Sequence, residues 1–282
     1  MLTSKIKSYA KINLYLGVLG KLQSKNHRIE SLVSFINLHD KITIRQTQKN
    51  KHKVVFYGQF SKKIPKKNTI TRLLSILDKK NLLKNKKYLI RVDKKIPLKS
   101  GMGGGSMNAS SIFNYLITKQ NIRLNNNQIL KITKKIGSDV ILGIQRKNSI
   151  LQANGKIFRS NKKIGLYTLL IKPNFGCSTR KIYRRIKSFS KPILNKKNDN
   201  IFNMKKIINF KNDLEKSAFK EHPILSNIKE NMLKLPKVRF VCMTGSGSTL
   251  IGYFNSKKNT LNAAKILKKK YKNYWCILSK TI

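Results

Sequence analysis

Between a β-rich segment, YLIRVDKKIP, and an apolar stretch, SMNASSIFNYLITKQ, the chain carries KSGMGGGSMNAS, with four glycines among residues 101 to 105. A run this poor in Cβ atoms, lying between a strand and a helix, has two uses. It exposes backbone N–H groups at a helix start, where they collect an anion, or it supplies the positive φ of a tight turn. Two familiar phosphate loops do not fit. A P-loop needs Lys after its last glycine, and none follows here. A dinucleotide fingerprint needs Gly or Ala three residues after Gly103, where Ser106 stands, and no β-α-β unit frames it. What remains is an anion cradle of Gly103, Gly104 and Gly105, with the Ser106 hydroxyl available to a phosphate or a metal ion, or a glycine turn.

Hydrophobic periodicity predicts a mixed order of elements around this loop. SYAKINLYLGVLG alternates as a strand with Ala10, Ile12, Leu14 and Leu16 on one face. Strand character continues in LVSFINLHDKITIRQ and HKVVFYGQF, and residues 69 to 83 have helical spacing. The stretch after the glycines reads as a helix with Ser or Asn near its start, and NNNQILKITKKIG as a second helix entered through its Asn run. From residue 166 the pattern restarts as strand, Pro/Gly turn and helix. The lysine-rich segment 187 to 206 reads as a variable loop. Residues 210 to 235 are helical with a Pro interruption, and residues 238 to 270 read as strand, Gly/Ser turn, strand, helix. This order predicts an α+β protein of two lobes meeting near residue 160, comprising residues 1–160 and 161–282, and not a regular doubly wound sheet.

Charge is the most conspicuous compositional feature: 62 Lys and Arg against 10 Asp and Glu, a formal +52 over 282 residues. Such a balance suggests a phosphate-rich partner, but the lysines are spread through the chain beside abundant Ile and Asn. All three residues have A- and T-rich codons, so base composition accounts for them, whereas a nucleic-acid footprint should be clustered and interleaved with exposed aromatics. The expectation is no specific nucleic-acid partner. Cys177, Cys242 and Cys276 are too scattered for a disulfide framework or a zinc site. No window approaches 18 uncharged apolar residues and the N-terminus lacks a signal-like apolar run, so we expect a cytoplasmic chain without a membrane span.

Ten carboxylates make the search for an acid or base short. Most are expected among lysines on solvated faces. Asp139 differs, because IGSDVILGI sets it between a Gly-Ser pair and an apolar run, where it either serves chemistry or acts as an N-cap or structural ion pair. Lys11 is flanked by Ala10 and Ile12. Alternation puts it with Asn13 on the face opposite the aliphatics, where it is either an exposed strand residue or a functional one.

Taken together these segments resemble a known family. PLKSGMGGGSMNAS resembles the P-x-x-x-G-L-G-G-G-S-S-N-A phosphate loop of the small-molecule kinases that include galactokinase, homoserine kinase and mevalonate kinase. SYAKINLYLGV resembles their P-A-K-[IL]-N-L-x-L strand motif, and MTGSGSTLIGYF their third glycine-rich motif. With IGSDV, KPNFGCSTRKIY and NDLEKSAF, the set is similar to the branch that phosphorylates a cytidine-diphosphate-linked methylerythritol in the non-mevalonate isoprenoid pathway. The resemblance runs through nearly the whole chain in order.

It implies a two-lobed small-molecule kinase fold with an N-terminal nucleotide-binding lobe and a C-terminal α/β lobe. It also implies ATP and Mg²⁺ as cofactors, phosphorylation of a 2-hydroxyl, and an acceptor carrying a cytidine diphosphate group. A monomer or weak homodimer is expected. By motif, Asp139 would be the general base and Lys11 its electrostatic partner. Nucleotide contacts would come from Pro97, Leu98, Lys99, Ser100, Gly101, Met102, Gly103, Gly104, Gly105, Ser106 and Met107, with Asn68 and Lys94. Asn13, His27, Phe175 and Thr179 would face the acceptor. The chain departs from the pattern at Lys25 and Asn26, where Gly and an aromatic are usual, at Ile141 for Pro and at Lys156 for Glu.

Overall fold

The computed structural model describes residues 3–22, 27–194 and 199–282. In chain order the elements are β1 (Thr3–Lys21), β2 (His27–Thr47), β3 (Lys53–Tyr57), α1 (Thr69–Lys79), β4 (Lys87–Asp93), α2 (Gly104–Lys119), α3 (Asn126–Ile136), α4 (Val140–Ile144), β5 (Asn148–Leu151) and β6 (Ile157–Ser160). They continue with β7 (Tyr167–Lys172), α5 (Thr179–Arg184), a 3₁₀ turn (Asp199–Phe202), α6 (Met204–Ile207), α7 (Leu214–Glu221), α8 (Ile224–Leu233), β8 (Phe240–Met243), β9 (Leu250–Phe254), α9 (Lys257–Lys270) and β10 (Trp275–Lys280). The mixed α+β order expected from the sequence is present.

Two compact units are interleaved along the chain. One comprises Met1–Ala10, Leu38–Leu98 and Gly103–Arg146; the other comprises Lys11–Asn37, Lys99–Met102 and Lys147–Ile282. Residue 160, where periodicity sets the lobe boundary, falls within the second. β1 and β2 each pass through both units, and so does the glycine loop.

In the first unit the C-terminal half of β2 pairs antiparallel with β4, from Lys41↔Asp93 to Thr47↔Lys87, and β3 pairs parallel with β4. Ile42, Ile44, Ile90 and Val92 point from this sheet into a core completed by Leu73, Leu74 and Leu77 of α1 and Ile112, Phe113 and Leu116 of α2. Two of the helices there are closed by reciprocal caps. Asn68 and Thr71 form a capping box on α1, and Asn125 and Gln128 do so on α3, the Asn run that the sequence marks as an entry turn. α2 departs from expectation. It starts on the glycines themselves, with Gly103 in the left-handed region (φ 64°) and no side-chain cap, so its first amides are left unbonded by any side chain.

In the second unit β7 lies between β10 and β9 in an antiparallel sheet of order β10-β7-β9-β8. The first part of β2 pairs with β5, and β5 with β6 through a turn at Gly155. That turn forms despite Lys156 in place of the usual Glu: Gln152 N–H donates to Lys156 O at 2.9 Å and Gly155 N–H to Gln152 O at 2.8 Å. Leu169, Ile171, Met243, Leu250, Leu225, Ile228 and Leu267 form the core against α8 and α9. Among the described residues no helix is long and apolar enough to cross a membrane.

Candidate active site

In the first unit the strand leading to the glycine loop ends at Asp93, and the next residue, Lys94, is 2 % exposed. Its Nζ is ion-paired with Asp40, which is fully buried and also accepts the N–H groups of Lys95 (2.7 Å) and Ile96 (2.8 Å). One carboxylate therefore fixes both the ammonium and the backbone that leads into Pro97. A Cβ built on Gly104 would lie 3.0 Å from Ile96 Cγ2 and 3.3 Å from Lys94 Nζ. The side-chain space at the head of α2 is already filled by this lysine. The open amides of a 16-residue helix are the kind of helix start at which an anion is stabilised, and the Lys94 ammonium beside them has its charge paired by Asp40.

Thr69 Oγ1 donates to the carbonyl of Gly105 at 2.7 Å, tying the start of α1 to the same glycines. Asn68 is engaged locally: Oδ1 accepts the N–H groups of Ile70 and Thr71, and Nδ2 donates to Pro65 O and Lys66 O. Gly103, Gly104, Gly105 and Ser106 are partly or fully exposed, whereas Pro97, Met102 and Met107 pack inside. Asp139 stands at the N-cap position of α4, half-buried, and makes no side-chain capping bond.

In the second unit Lys11 is 4 % exposed, so it is not the exposed strand residue that alternation allows; this stretch of β1 is buried on both faces. Its Nζ donates to Asn13 Oδ1 at 2.7 Å, and its N–H to Met102 O at 3.2 Å. Asn13 Nδ2 donates in turn to Ser31 Oγ at 2.8 Å. Residues 99–102 of the glycine loop lie against the Gly/Ser turn after β8. Thr244 Oγ1 accepts from Asn13 N–H at 3.1 Å and donates to Gly101 O at 3.2 Å. Asn212 Nδ2 bridges Met243 O and Gly245 O, which holds that turn from behind. The turn also reaches α5, where Thr179 Oγ1 and Ser246 Oγ are 2.9 Å apart.

His27 opens β2 and packs its ring against Tyr183 of α5, with centroids 4.8 Å apart. Its Nε2 is buried with no hydrogen-bond partner. Burial, and then the charge of Lys21, lowers its pKa, so the ring is held neutral. Phe175 stacks on His222 with centroids 4.4 Å apart. Lys25 and Asn26, the departures beside His27, lie outside the described residues.

Sequence reasoning passed over several of these groups. Tyr183 has a legible signal, since it lies four residues after Thr179 on the same helix and therefore on the same face. Thr244 and Asn212 lie in the quoted motifs MTGSGSTLIGYF and NDLEKSAF, but nothing in those motifs shows their distant partners, and Asp40 has no signal at all.

Comparison with known proteins adds the following. Residues 68–146 match the model of the GHMP kinases N terminal domain, and residues 196–273 that of the GHMP kinases C terminal domain. The chain is 53% identical over 278 residues to the 4-diphosphocytidyl-2-C-methyl-D-erythritol kinase of Pelagibacter ubique, covering 99% of each chain. It is 31% identical to the enzyme of the same name from Thermoanaerobacter pseudethanolicus, covering 99% of this chain and 96% of that one. A crystal structure of 4-(cytidine 5'-diphospho)-2C-methyl-D-erythritol kinase superposes with a TM-score of 0.79 at 20% identity, covering 98% of this chain and 99% of that one. Homoserine kinase from Cytophaga hutchinsonii superposes with a TM-score of 0.72 at 14% identity over 99% and 94% of the two chains.

Proposed function

Because the chain belongs to the GHMP kinase family, we propose that it transfers the γ-phosphoryl group of ATP to the 2-hydroxyl of 4-diphosphocytidyl-2-C-methyl-D-erythritol, giving the 2-phosphate and ADP. The observation that carries this reading is the 53% identity to a kinase of that name over 99% of both chains. The local geometry is consistent with it on each side of the reaction.

Phosphoryl transfer asks a protein mainly for positioning and charge. The Gly103–Gly105 amides and Lys94 would hold the nucleotide's phosphates, with Asn68 shaping the neighbouring turn. Leu98, Lys99, Ser100, Gly101, Met102, Pro97 and Met107 serve as the frame of that loop. Asp139 is assigned as the base that accepts the hydroxyl proton; its half-buried place at the head of α4 is compatible with this. Lys11, with its ammonium directed by Asn13, supplies fixed positive charge.

Among the described residues no three His, Cys, Asp or Glu side chains cluster as a metal site. That suits Mg²⁺, which is held largely by nucleotide phosphates and water. Ser106 is the hydroxyl we assign to it, and when bound it offsets charge on the phosphates. For the acceptor, the unpartnered Nε2 of His27 beside Tyr183 offers a polar edge and an aromatic face to the cytosine. Phe175, Thr179 and Asn13 are assigned to the rest of it. The site of action is the cytoplasm.

The test is ADP release by the purified protein with Mg-ATP, comparing 4-diphosphocytidyl-2-C-methyl-D-erythritol with mevalonate and homoserine. Turnover with the first alone is expected. Turnover with none of them, in a protein that still binds ATP, would overturn the acceptor assignment.

A further inference from the structure

β7 ends at Lys172, immediately before Pro173. The three preceding residues, Leu169 to Ile171, are fully buried, and Lys172 itself is 7 % exposed. Lysine is among the residues least often found in an interior, and an ammonium there needs a partner of opposite charge. Among the described residues no carboxylate pairs with this one. Its Nζ donates to two backbone carbonyls of the turn that follows, Pro173 O at 2.9 Å and Phe175 O at 2.7 Å. Burial lowers its pKa, opposed only by the neighbouring Cys177 thiol.

The turn that it gathers is attached to the rest of the unit at three points. Ser248 Oγ donates to the same Phe175 carbonyl at 2.7 Å, so two donors converge on one oxygen. The Phe175 ring stacks on His222. At Gly176 an added Cβ would lie 2.4 Å from Lys99 Cβ and 2.8 Å from Lys99 O, so the turn is in direct backbone contact with the glycine loop. A neutral donor would suffice to hold two carbonyls. A buried ammonium with no carboxylate does so at a large desolvation cost, and it leaves a net positive charge behind a turn assigned to the acceptor.

We propose that Lys172 is a positioning and specificity-determining residue. It fixes turn 173–176 against the glycine loop and, being uncompensated, makes the acceptor side favour a diphosphate-bearing ligand over its neutral counterpart. This rests on the acceptor assignment above. A buried charge is screened by salt and water much less than an exposed one, so it can act on an anion without touching it. The residue reaches the acceptor through the turn and through its field, and the reacting atoms are left to other groups.

The experiment measures binding of cytidine diphosphate and of cytidine, by calorimetry, to the wild type, Lys172→Met, Lys172→Gln and Ser248→Ala. ATP affinity and the melting temperature are followed in parallel. Wild type should prefer the diphosphate. Both Lys172 variants should lower that preference about tenfold while cytidine and ATP affinities change less than about twofold. Lys172→Gln retains a donor to the carbonyls and serves if Lys172→Met does not fold. Ser248→Ala, which loosens the same turn without removing charge, should weaken both ligands alike.

An unchanged preference in Lys172→Gln would overturn the proposal. So would an equal loss in Ser248→Ala, since the turn alone would then account for the effect. Failure of the wild type to bind either ligand is a different result. It would remove the acceptor assignment, and this inference with it.

Discussion

Gly101 gives the sharpest quantitative test of the glycine loop. Its φ is +76°, and an added Cβ would lie 1.9 Å from Thr244 O, whereas real Cβ contacts essentially never fall below 3.0 Å. In Gly101→Ala the two backbones must therefore separate by at least 1.1 Å, the difference between those two distances. The left-handed conformation costs about 1–2 kcal/mol once a Cβ is present. Separation also breaks the bond from Thr244 Oγ1 to Gly101 O, worth about 1 kcal/mol, and forces repacking of a fully buried turn for roughly 1 kcal/mol more. The expected loss is about 3–4 kcal/mol in urea unfolding. Gly155→Ala is the control in the same unit: φ is +80°, but nothing lies within 4 Å of the added atom, so only the strain of about 1–2 kcal/mol remains. Because Met102 O accepts the Lys11 N–H, the displacement should also shift Lys11 and, if the role proposed for that lysine holds, lower kcat by about a hundredfold. A difference between the two variants below about 0.5 kcal/mol would refute the close-approach argument.

Asp139→Asn should lower kcat by about 10²–10⁴-fold with ATP affinity nearly unchanged; near-wild-type turnover in the ADP-release assay would remove the base from Asp139. Lys11→Ala should likewise reduce turnover more than ATP affinity. Asp40→Asn keeps an acceptor for the Lys95 and Ile96 amides but leaves Lys94 a buried, unpaired ammonium, so unfolding in urea should show a loss of about 3 kcal/mol. His52 Nδ1 accepts the Tyr88 N–H and its Nε2 faces Asp78, and burial, outweighing Asp78, holds its pKa below the ordinary 6.5. A lowered folded pKa means that the contribution to stability is complete above about pH 6.5 and is lost as pH falls through the folded value. Between pH 7 and 5 the wild type should lose more stability than His52→Gln, and parallel losses would contradict this.

Local patterns made much of the fold readable. The Asn run before α3, the Pro between α7 and α8, and the Gly/Ser turn between β8 and β9 are signalled by residues next to the element they bound. The short elements were missed. β5, β6 and α4 are four or five residues each, too short for a period to register, and β10 was not separated from the lysine-rich end of α9. Of the candidate site, the glycines and Asp139 are the residues that stand out in the sequence, because small residues and an isolated acid are conspicuous in this chain. Lys11 did not, being one of many lysines, and its burial depends on β1 being covered on both faces.

The scarcity of acids turns out to be structural evidence. The expectation of solvated carboxylates fails for Glu30 and Asp40, both fully buried, and for Glu215 at 8 % exposure. Glu30 accepts from Tyr15 Oη and from the amides of Ile193 and Leu194, holding that part of the lysine-rich segment to β2. Glu215 accepts the Met243 amide and pairs with Lys229, and Asp213 accepts the Val18 amide. Asp78 serves His52 and Lys87, and Glu221 serves Arg185. With so few carboxylates, a chain of this charge uses them where backbone amides or buried cations need an acceptor. Asp139 is placed where the commonest such duty, capping a helix, is available, and its side chain does not perform it. That position, half-buried at the head of an apolar helix, is compatible with the proton-accepting role proposed for it.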